Sequence, residues 1–389
     1  MEKIRLGIIG IGNMGSEHCR LILSGQTPEI ALTCVADPRQ DRRDWAQQTL
    51  PAGTGIYADG MSLIRAHACD AVLIATPHEL HPPLAEAALR VGLHVLSEKP
   101  AGVYTAQLHP VIAAAQETGR TYALMFNQRT NCVYRRLKAL LDSGELGALK
   151  RVTWVVTDWY RSQAYYDSGA WRATWTGEGG GVLLNQCPHQ LDLLQWLCGL
   201  PVRVRAACHE GKWHDIEVED DVTAYLEFAN GATGTFIAST GDALGENRLE
   251  IIGTRARIRI ENDQLTLDTL SVDERDWCPV CKEPFGVPDI QHEIVQTDGE
   301  NPQHAGVLNA FAAHILHGTP LVADGREGIR GLMLSNAMHL SSWTNQTVSL
   351  PIDEELFLKL LNEKRRTSRH KDEVDAAIDV SGSFGSTRK

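Results

Sequence analysis

The sequence predicts two domains of different class: an α/β domain on a doubly wound parallel sheet, then an α+β domain on a mainly antiparallel sheet. Three observations predict it. Short apolar runs alternate with helical patterns through the first third of the chain, as strand–helix–strand units do. After about residue 126 the pattern turns to long strands with few helices between them. The length of 389 residues, at roughly 100–200 residues per domain, allows two or three domains.

Taken in order, strands are expected at 4–9, 31–36, 71–75, 94–97 and 121–126. The first four are Val-, Ile- and Leu-rich without clean alternation, as strands buried on both faces are. Helices are expected between them at 14–24, 39–48, 82–90 and 106–118. Gly25, Gly92 and Gly119 stand where a helix end needs a left-handed residue. A helix at 134–141 then leads into strands at 150–158, 202–209, 221–228, 232–239, 248–252 and 257–260. Asn230-Gly231 between two of these is a hairpin signal. Helices at 304–317, 325–342 and 354–363 close the chain. The expected domains are 1–126 and 127–364, with 365–389 a polar, disordered tail.

Composition limits the function. Hydrophobic residues are 43% and charged residues 22%, ordinary globular values that exclude a disordered chain. No window approaches the ~18 apolar residues of a membrane span, and no secretory h-region opens the chain. The net charge of −12 is the wrong sign for neutralising phosphates, so nucleic acid is excluded as the expected partner. Nine cysteines, an odd and scattered set, read as reduced thiols of a cytoplasmic protein. Cys278-Pro-Val-Cys281 has no second C-x-x-C to complete a zinc site, so no metal is expected.

Gly10-Ile11-Gly12-Asn13-Met14-Gly15 directly follows the first strand and opens the first helix. In that context Gly10 permits a tight turn, Gly12 lets the backbone approach a pyrophosphate, and Gly15 lets helix pack on strand. The helix N-terminus, with Asn13 and Met14, offers N–H groups and a positive dipole end to the anion. Asp37 ends the second strand, where an acid accepts hydrogen bonds from a ribose diol. These features predict a Rossmann dinucleotide-binding site. A carboxylate at Asp37 repels a 2′-phosphate and favours NAD over NADP, although Arg39 nearby offers a phosphate a cation.

Three further motifs complete a pattern. They are Thr76-Pro-His78-Glu-Leu-His81 after the third strand, Ser97-Glu98-Lys99-Pro100 at the end of the fourth, and Gly179-Gly-Gly-Val-Leu-Leu-Asn185-Gln-Cys-Pro-His189-Gln-Leu-Asp192. Together with the glycine fingerprint, the sequence from residue 3 to about 364 resembles the Gfo/Idh/MocA oxidoreductase family. The resemblance implies a nicotinamide-dependent dehydrogenase of sugars or cyclic polyols, with the substrate held against an open C-terminal sheet. It implies that Thr76, His78, His81, Glu98, Lys99 and Asn127 line the cofactor site, and that Arg129 lies near substrate. It implies that Lys99 binds the reacting hydroxyl, before a commonly cis Lys99-Pro100 bond. An ammonium there stabilises the alkoxide character that develops as hydride leaves.

His189 is the expected general base, its ordinary pKa near ~6.5 suiting a carbinol proton at neutral pH. Asn185, His189 and Asp192 are spaced for one helix face, but Pro188 allows the regular helix to begin only there, leaving Asn185 in the lead-in. The family pattern commonly has aspartate where Asn185 stands. Asparagine orients His189 or binds a hydroxyl without stabilising an imidazolium by charge. Asn185 is therefore a catalytic and substrate candidate.

Seven aromatics crowd the stretch from Trp154 to Trp175: Trp154, Trp159, Tyr160, Tyr165, Tyr166, Trp171 and Trp175. Tyr160, Arg161, Trp171 and Arg172 suit a pyranose, with its apolar face and rim of hydroxyls; a subunit interface has the same composition. His304 is a further substrate candidate. The expected function is NAD-dependent oxidation of a secondary alcohol on a sugar or glycoside ring, with a glucoside 3-dehydrogenase as the specific form. Inositol dehydrogenase, ketosugar reductase and a non-catalytic sugar- or dinucleotide-sensing regulator stay open. The expected assembly is a homodimer or homotetramer through the C-terminal sheet, away from membranes.

Overall fold

The computed structural model describes residues 3–369 and 371. The chain divides into two compact units. The first comprises Met1–Thr130, Gly177–Gly179 and Pro302–Leu332; the second comprises Asn131–Thr176, Gly180–Asn301 and Met333–Lys389. The chain leaves the first unit after Thr130 and returns to it twice.

The first unit holds strands β1 (Ile4–Ile9), β2 (Ile30–Ala36), β3 (Gly55–Tyr57), β4 (Ala71–Ile74), β5 (His94–Ser97) and β6 (Tyr122–Leu124). They form one sheet in the order β3-β2-β1-β4-β5-β6, parallel throughout. The strand order reverses between β1 and β4, the place where such sheets bind ligands at their carboxyl ends. β4 is buried along its whole length, as an unbroken Ala-Val-Leu-Ile run requires. Leu6, Ile8, Val35, Leu73 and Leu96 form the core with Val307, Leu308 and Phe311 of the late helix Gln303–His317. That helix is amphipathic in the sequence, but its pattern says only that one face is buried, not against which sheet. β3 and the helix Gly60–Ala66 were not expected: three strand residues carry too little periodicity to read.

The second unit holds β7 (Leu149–Val156), β8 (Arg203–Glu210), β9 (Glu219–Glu227), β10 (Thr233–Ser239), β11 (Asn247–Gly253), β12 (Ala256–Glu261), β13 (Gln264–Leu270), β14 (Ile290–Ile294) and β15 (Val348–Ser349). They form a single open sheet in the order β14-β13-β12-β11-β7-β10-β9-β8-β15. Only the β7–β10 pairing is parallel; the others are antiparallel. Asn230-Gly231 makes the expected turn between β9 and β10, Gly231 taking φ +84°. Trp154 and Phe236, both fully buried, meet edge to face at 6.4 Å across the β7–β10 pair. β14 escaped the sequence reading because it is exposed at all five positions and carries no buried face.

The last helix, Glu354–Arg366, runs past the expected domain limit at 364. Beyond it the Arg369 amide donates to Glu217 at 2.7 Å, so 365–369 are part of the second unit. The rest of the expected tail, Lys371 apart, lies outside the described residues. Among the described residues no helix is long and apolar enough to cross a membrane.

Candidate functional site

In the first unit the glycine loop forms as its sequence demands. Gly10 has φ +88°, and a Cβ on Gly15 would fall 1.8 Å from the Gly10 carbonyl oxygen, so only glycine packs there. Gly12 differs. A Cβ there would meet nothing within 4 Å, so the protein's own packing does not require glycine at that position. Gly12 is also the N-cap of the helix Asn13–Leu23, and no side chain caps it. Exposed Asn13 and half-buried Met14 therefore open a helix whose first N–H groups await an acceptor. Buried Asp37 accepts from the Ile11 amide at 2.9 Å and the Arg39 amide at 3.0 Å, tying the end of β2 to the loop. The Arg39 guanidinium forms a bidentate pair with Asp41, both contacts at 3.0 Å. The cation available to a 2′-phosphate is thus held by its neighbour, and the acid remains at the strand end.

The Lys99-Pro100 peptide is cis, as the resemblance implied. Glu98, just before it, is buried and uses both oxygens: one meets His18 Nε2 at 2.7 Å and the other accepts the Lys99 amide at 3.1 Å. Burial alone would raise the Glu98 pKa, but the His18 hydrogen bond and charge hold the carboxyl down to about 2. His304 lies with its ring 5.5 Å from that of His18, and burial pushes its pKa down to about 4. The first unit therefore gathers Glu98, Lys99 and His304, with His18 added. His18 gave no sequence signal beyond a histidine on a buried helix face.

The other expected residues of this unit divide. Asn127 fits a ligand role: its Nδ2 donates to Gln303, while its Oδ1 is buried without a hydrogen-bond partner. Thr76 Oγ1 is another buried, unpartnered polar atom. Such atoms are costly unless something absent from the chain satisfies them. An uncapped helix, open space at Gly12 and these two atoms fit a bound dinucleotide. His81 braces the backbone, both ring nitrogens facing carbonyls, Pro100 at 2.8 Å and Thr76 at 2.7 Å. Burial lowers its pKa. His78 is also buried, its Nδ1 3.2 Å from the Glu178 carbonyl. Arg129 is buried against the Glu327 carboxylate at 2.5 Å and stacks over Phe126, so its charge has a carboxylate partner within the fold.

In the second unit the glycine-rich segment is held from below by Glu219. Its carboxylate accepts the Gly181 amide at 2.8 Å and the Leu183 amide at 3.0 Å. His339 Nε2 lies 3.0 Å from it within the core. Burial would raise the Glu219 pKa; His339 and the two amides hold it below the ordinary value. A Cβ on Gly181 would lie 1.9 Å from the Glu219 carbonyl oxygen. The helix then begins at Pro188 and runs to Cys198, placing His189 in its first turn and Asn185 in the lead-in. His189 and Asn185 are half-buried. Asp192 is buried and accepts from Gln195 at 3.0 Å, a structural bond.

Asn185 Oδ1 lies 3.5 Å from the Tyr165 hydroxyl, which accepts from Arg172 at 2.8 Å and Gln186 at 3.4 Å. Arg161 and Arg172 lie 5.0 and 4.5 Å from the centre of the Tyr165 ring. Arg161 also stacks over Trp159, and Arg172 over Trp171. The aromatic stretch is thus of two kinds. Trp154, Tyr166 and Trp175 are core, Trp159, Tyr165 and Trp171 are partly exposed, and Tyr160 is 49% exposed. Glu219, His339 and Gln186 were missed, since nothing local marks them. Among the described residues no group of three or more His, Cys, Asp and Glu gathers as metal ligands; Cys281 Sγ instead faces the Glu283 carbonyl at 3.5 Å.

Two family models match, an oxidoreductase family NAD-binding Rossmann fold over residues 4–126 and a GFO/IDH/MocA C-terminal domain over residues 134–259. An uncharacterized oxidoreductase, YdgJ, of Escherichia coli K12 is 32% identical over 204 residues, 52% of this chain and 55% of that protein. The chain thus spans about half the length of that relative. The scyllo-inositol 2-dehydrogenase (NAD(+)) of Bacillus subtilis is 26% identical over 67% of this chain and 74% of its own. Among solved structures, the WlbA dehydrogenase of Bordetella pertussis in complex with NADH and UDP-GlcNAcA is similar with a TM-score of 0.76. It is 25% identical and covers 90% of this chain and 100% of that one.

Proposed function

The chain belongs to the Gfo/Idh/MocA oxidoreductase family, and on that premise we propose that it oxidises a secondary alcohol of a sugar or glycoside ring, with the 3-hydroxyl of a glucoside as the first candidate. One observation carries the reading: Tyr165, Arg172 and Asn185, dispersed in sequence, form one polar and aromatic cluster close in the chain to the His189 helix. An aromatic face with amide and guanidinium donors suits a pyranose, whose C–H face is apolar and whose rim is hydroxylated.

NAD, when bound, accepts the hydride. Gly10, Gly12 and Gly15, the uncapped helix and Asp37 would hold it, with Asn127 Oδ1 and Thr76 Oγ1 as further acceptors. Lys99 donates to the reacting hydroxyl oxygen and stabilises its developing negative charge. His189 accepts the hydroxyl proton, oriented by Asn185. A neutral Asn185 leaves the imidazolium without a countercharge at that position, which favours rapid loss of the proton to water. Run in reverse, the same groups reduce a ketosugar. A homodimer or homotetramer through the nine-stranded sheet, in the cytoplasm, belongs to the same proposal.

The similarity to the scyllo-inositol 2-dehydrogenase of Bacillus subtilis favours one second reading, oxidation of an inositol. One experiment separates them. The purified protein is examined for retained NAD(H), then reduced-nicotinamide absorbance is followed with glucosides, free sugars and inositols. Activity on glucosides supports the proposal; activity on myo-inositol and none on glucosides transfers the assignment to the second reading.

A further inference from the structure

We propose that the sugar substrate carries an oxyanion, and that Arg161 and Arg172 form the site that binds it. The inference rests on the sugar-dehydrogenase reading for the rest of the substrate, but the anion site stands on its own observations.

On a chain of net charge −12, cations ordinarily have carboxylate partners close by. Arg5 has Asp70, Arg90 has Glu86 and Glu117, and Arg257 has Asp268. Arg161 and Arg172 have none among the described residues. Each makes one hydrogen bond through the guanidinium, Arg172 to the Tyr165 hydroxyl at 2.8 Å and Arg161 to the Tyr160 carbonyl at 3.0 Å. A guanidinium has five N–H donors in a fork matched to carboxylate and phosphate. Arg161 Nε is moreover buried with no hydrogen-bond partner, a costly state in a finished fold.

The two cations share one aromatic ring, at 5.0 and 4.5 Å from the centre of Tyr165. Two like charges brought to one ring repel each other, and an anion between or beside them removes that cost. The arrangement is also built in advance. The Arg161 amide donates to the Thr240 carbonyl at 2.9 Å. His214 Nε2 meets the Arg161 carbonyl oxygen at 2.9 Å, and His214 Nδ1 meets fully buried Asp220 at the same distance. Asp220 in turn accepts the amides of Lys212, Trp213 and His214. A buried carboxylate thus fixes the backbone from which one cation projects. The Tyr165 hydroxyl joins Arg172 to Asn185, four positions before His189.

Carboxylate and phosphate share this chemistry, and the test separates them. The protein with bound NADH is titrated with methyl glucoside, methyl glucuronide and glucose 6-phosphate, following the fluorescence of Trp159 and Trp171 beneath the two cations. The same ligands are offered with NAD for turnover. An anionic arm is expected to bind at least about tenfold more tightly than methyl glucoside at low salt, with the advantage shrinking as salt rises. Arg161→Gln and Arg172→Gln are each expected to reduce that advantage about 10- to 100-fold or to abolish it, the loss of a charge-assisted contact. Which anionic arm shows the advantage names the source. Equal affinity for charged and neutral sugars, or an advantage that survives both substitutions, overturns the proposal. If a variant does not fold, the wild-type comparison of charged with neutral sugars decides alone. Anion-dependent binding without turnover of any sugar overturns the dehydrogenase reading and leaves the anion site standing. Turnover of neutral glucosides with no anion advantage does the reverse.

Discussion

His18 and Glu98, 80 positions apart, meet at 2.7 Å in the core of the first unit, the imidazole Nε2 against a carboxylate oxygen. Through its other oxygen Glu98 holds the Lys99 amide. One buried carboxylate therefore connects the helix after the glycine loop to the backbone of the lysine proposed to meet the substrate hydroxyl.

His18→Ala removes the partner of a carboxylate that is only 5% exposed. Leaving a buried charge unpaired is expected to cost about 3–5 kcal/mol, read as a lower urea midpoint at unchanged slope. A loss below about 1 kcal/mol would show that Glu98 is stabilised by other groups. The pH window is fixed by the same pair. The folded Glu98 pKa is about 2 against an ordinary 4.5, so its contribution is present above 4.5 and fades as pH falls towards 2. In His18→Ala that acid-side loss should shrink.

Features that sit within a few positions of one another were legible before the structure. Gly10, Gly12 and Gly15 follow an apolar strand and open a helix, and each of those relations is local. Pro188 marked the first turn of its helix for the same reason. What was hidden depends on distant partners. The carboxylate partner of Arg129, Glu327, lies 198 positions away. Gly181 hangs from Glu219, 38 positions on, which nothing in the glycine segment announces. Trp154 and Trp171 are the same residue type in one aromatic stretch, but one is core and the other partly exposed. That difference follows from sheet register and loop path, which composition does not carry.

The second and third glycines of the fingerprint make opposite predictions. A Cβ on Gly15 collides with the Gly10 carbonyl at 1.8 Å, whereas one on Gly12 meets open space. Gly15→Ala is expected to destabilise the protein by about 3 kcal/mol or more, since backbone must move. Gly12→Ala is expected to melt as wild type but to bind NAD at least about tenfold more weakly, the added methyl occupying space held for the pyrophosphate. Thermal melts and NADH fluorescence titrations read both. Unchanged NAD affinity in a folded Gly12→Ala would remove the assignment of that space to the cofactor.

Lys99→Ala and His189→Ala address the proposed chemistry. Each is expected to lower kcat by two or more orders of magnitude, about the contribution of an oxyanion donor or a general base. NAD affinity should change little, because neither side chain is needed to hold the pyrophosphate. Near-wild-type turnover in both variants removes the mechanism.

His304 carries the last prediction. Burial holds its pKa at about 4 against an ordinary 6.5, so the folded protein keeps it neutral. Between those two values the unfolded chain binds a proton that the folded chain does not. Stability must therefore fall as pH drops from 6.5 towards 4, by up to about 3 kcal/mol for this one group. His94, lowered to about 4 by burial and the Arg120 charge, adds a loss of the same sign in the same window. Replacing His304 by glutamine should make the fall in melting temperature between pH 6.5 and 4 shallower, His94 keeping its share, while leaving the loss below 4.5 to which Glu98 and Glu219 contribute. Parallel wild-type and variant curves across that window would mean that His304 protonates as readily in the fold as in the open chain.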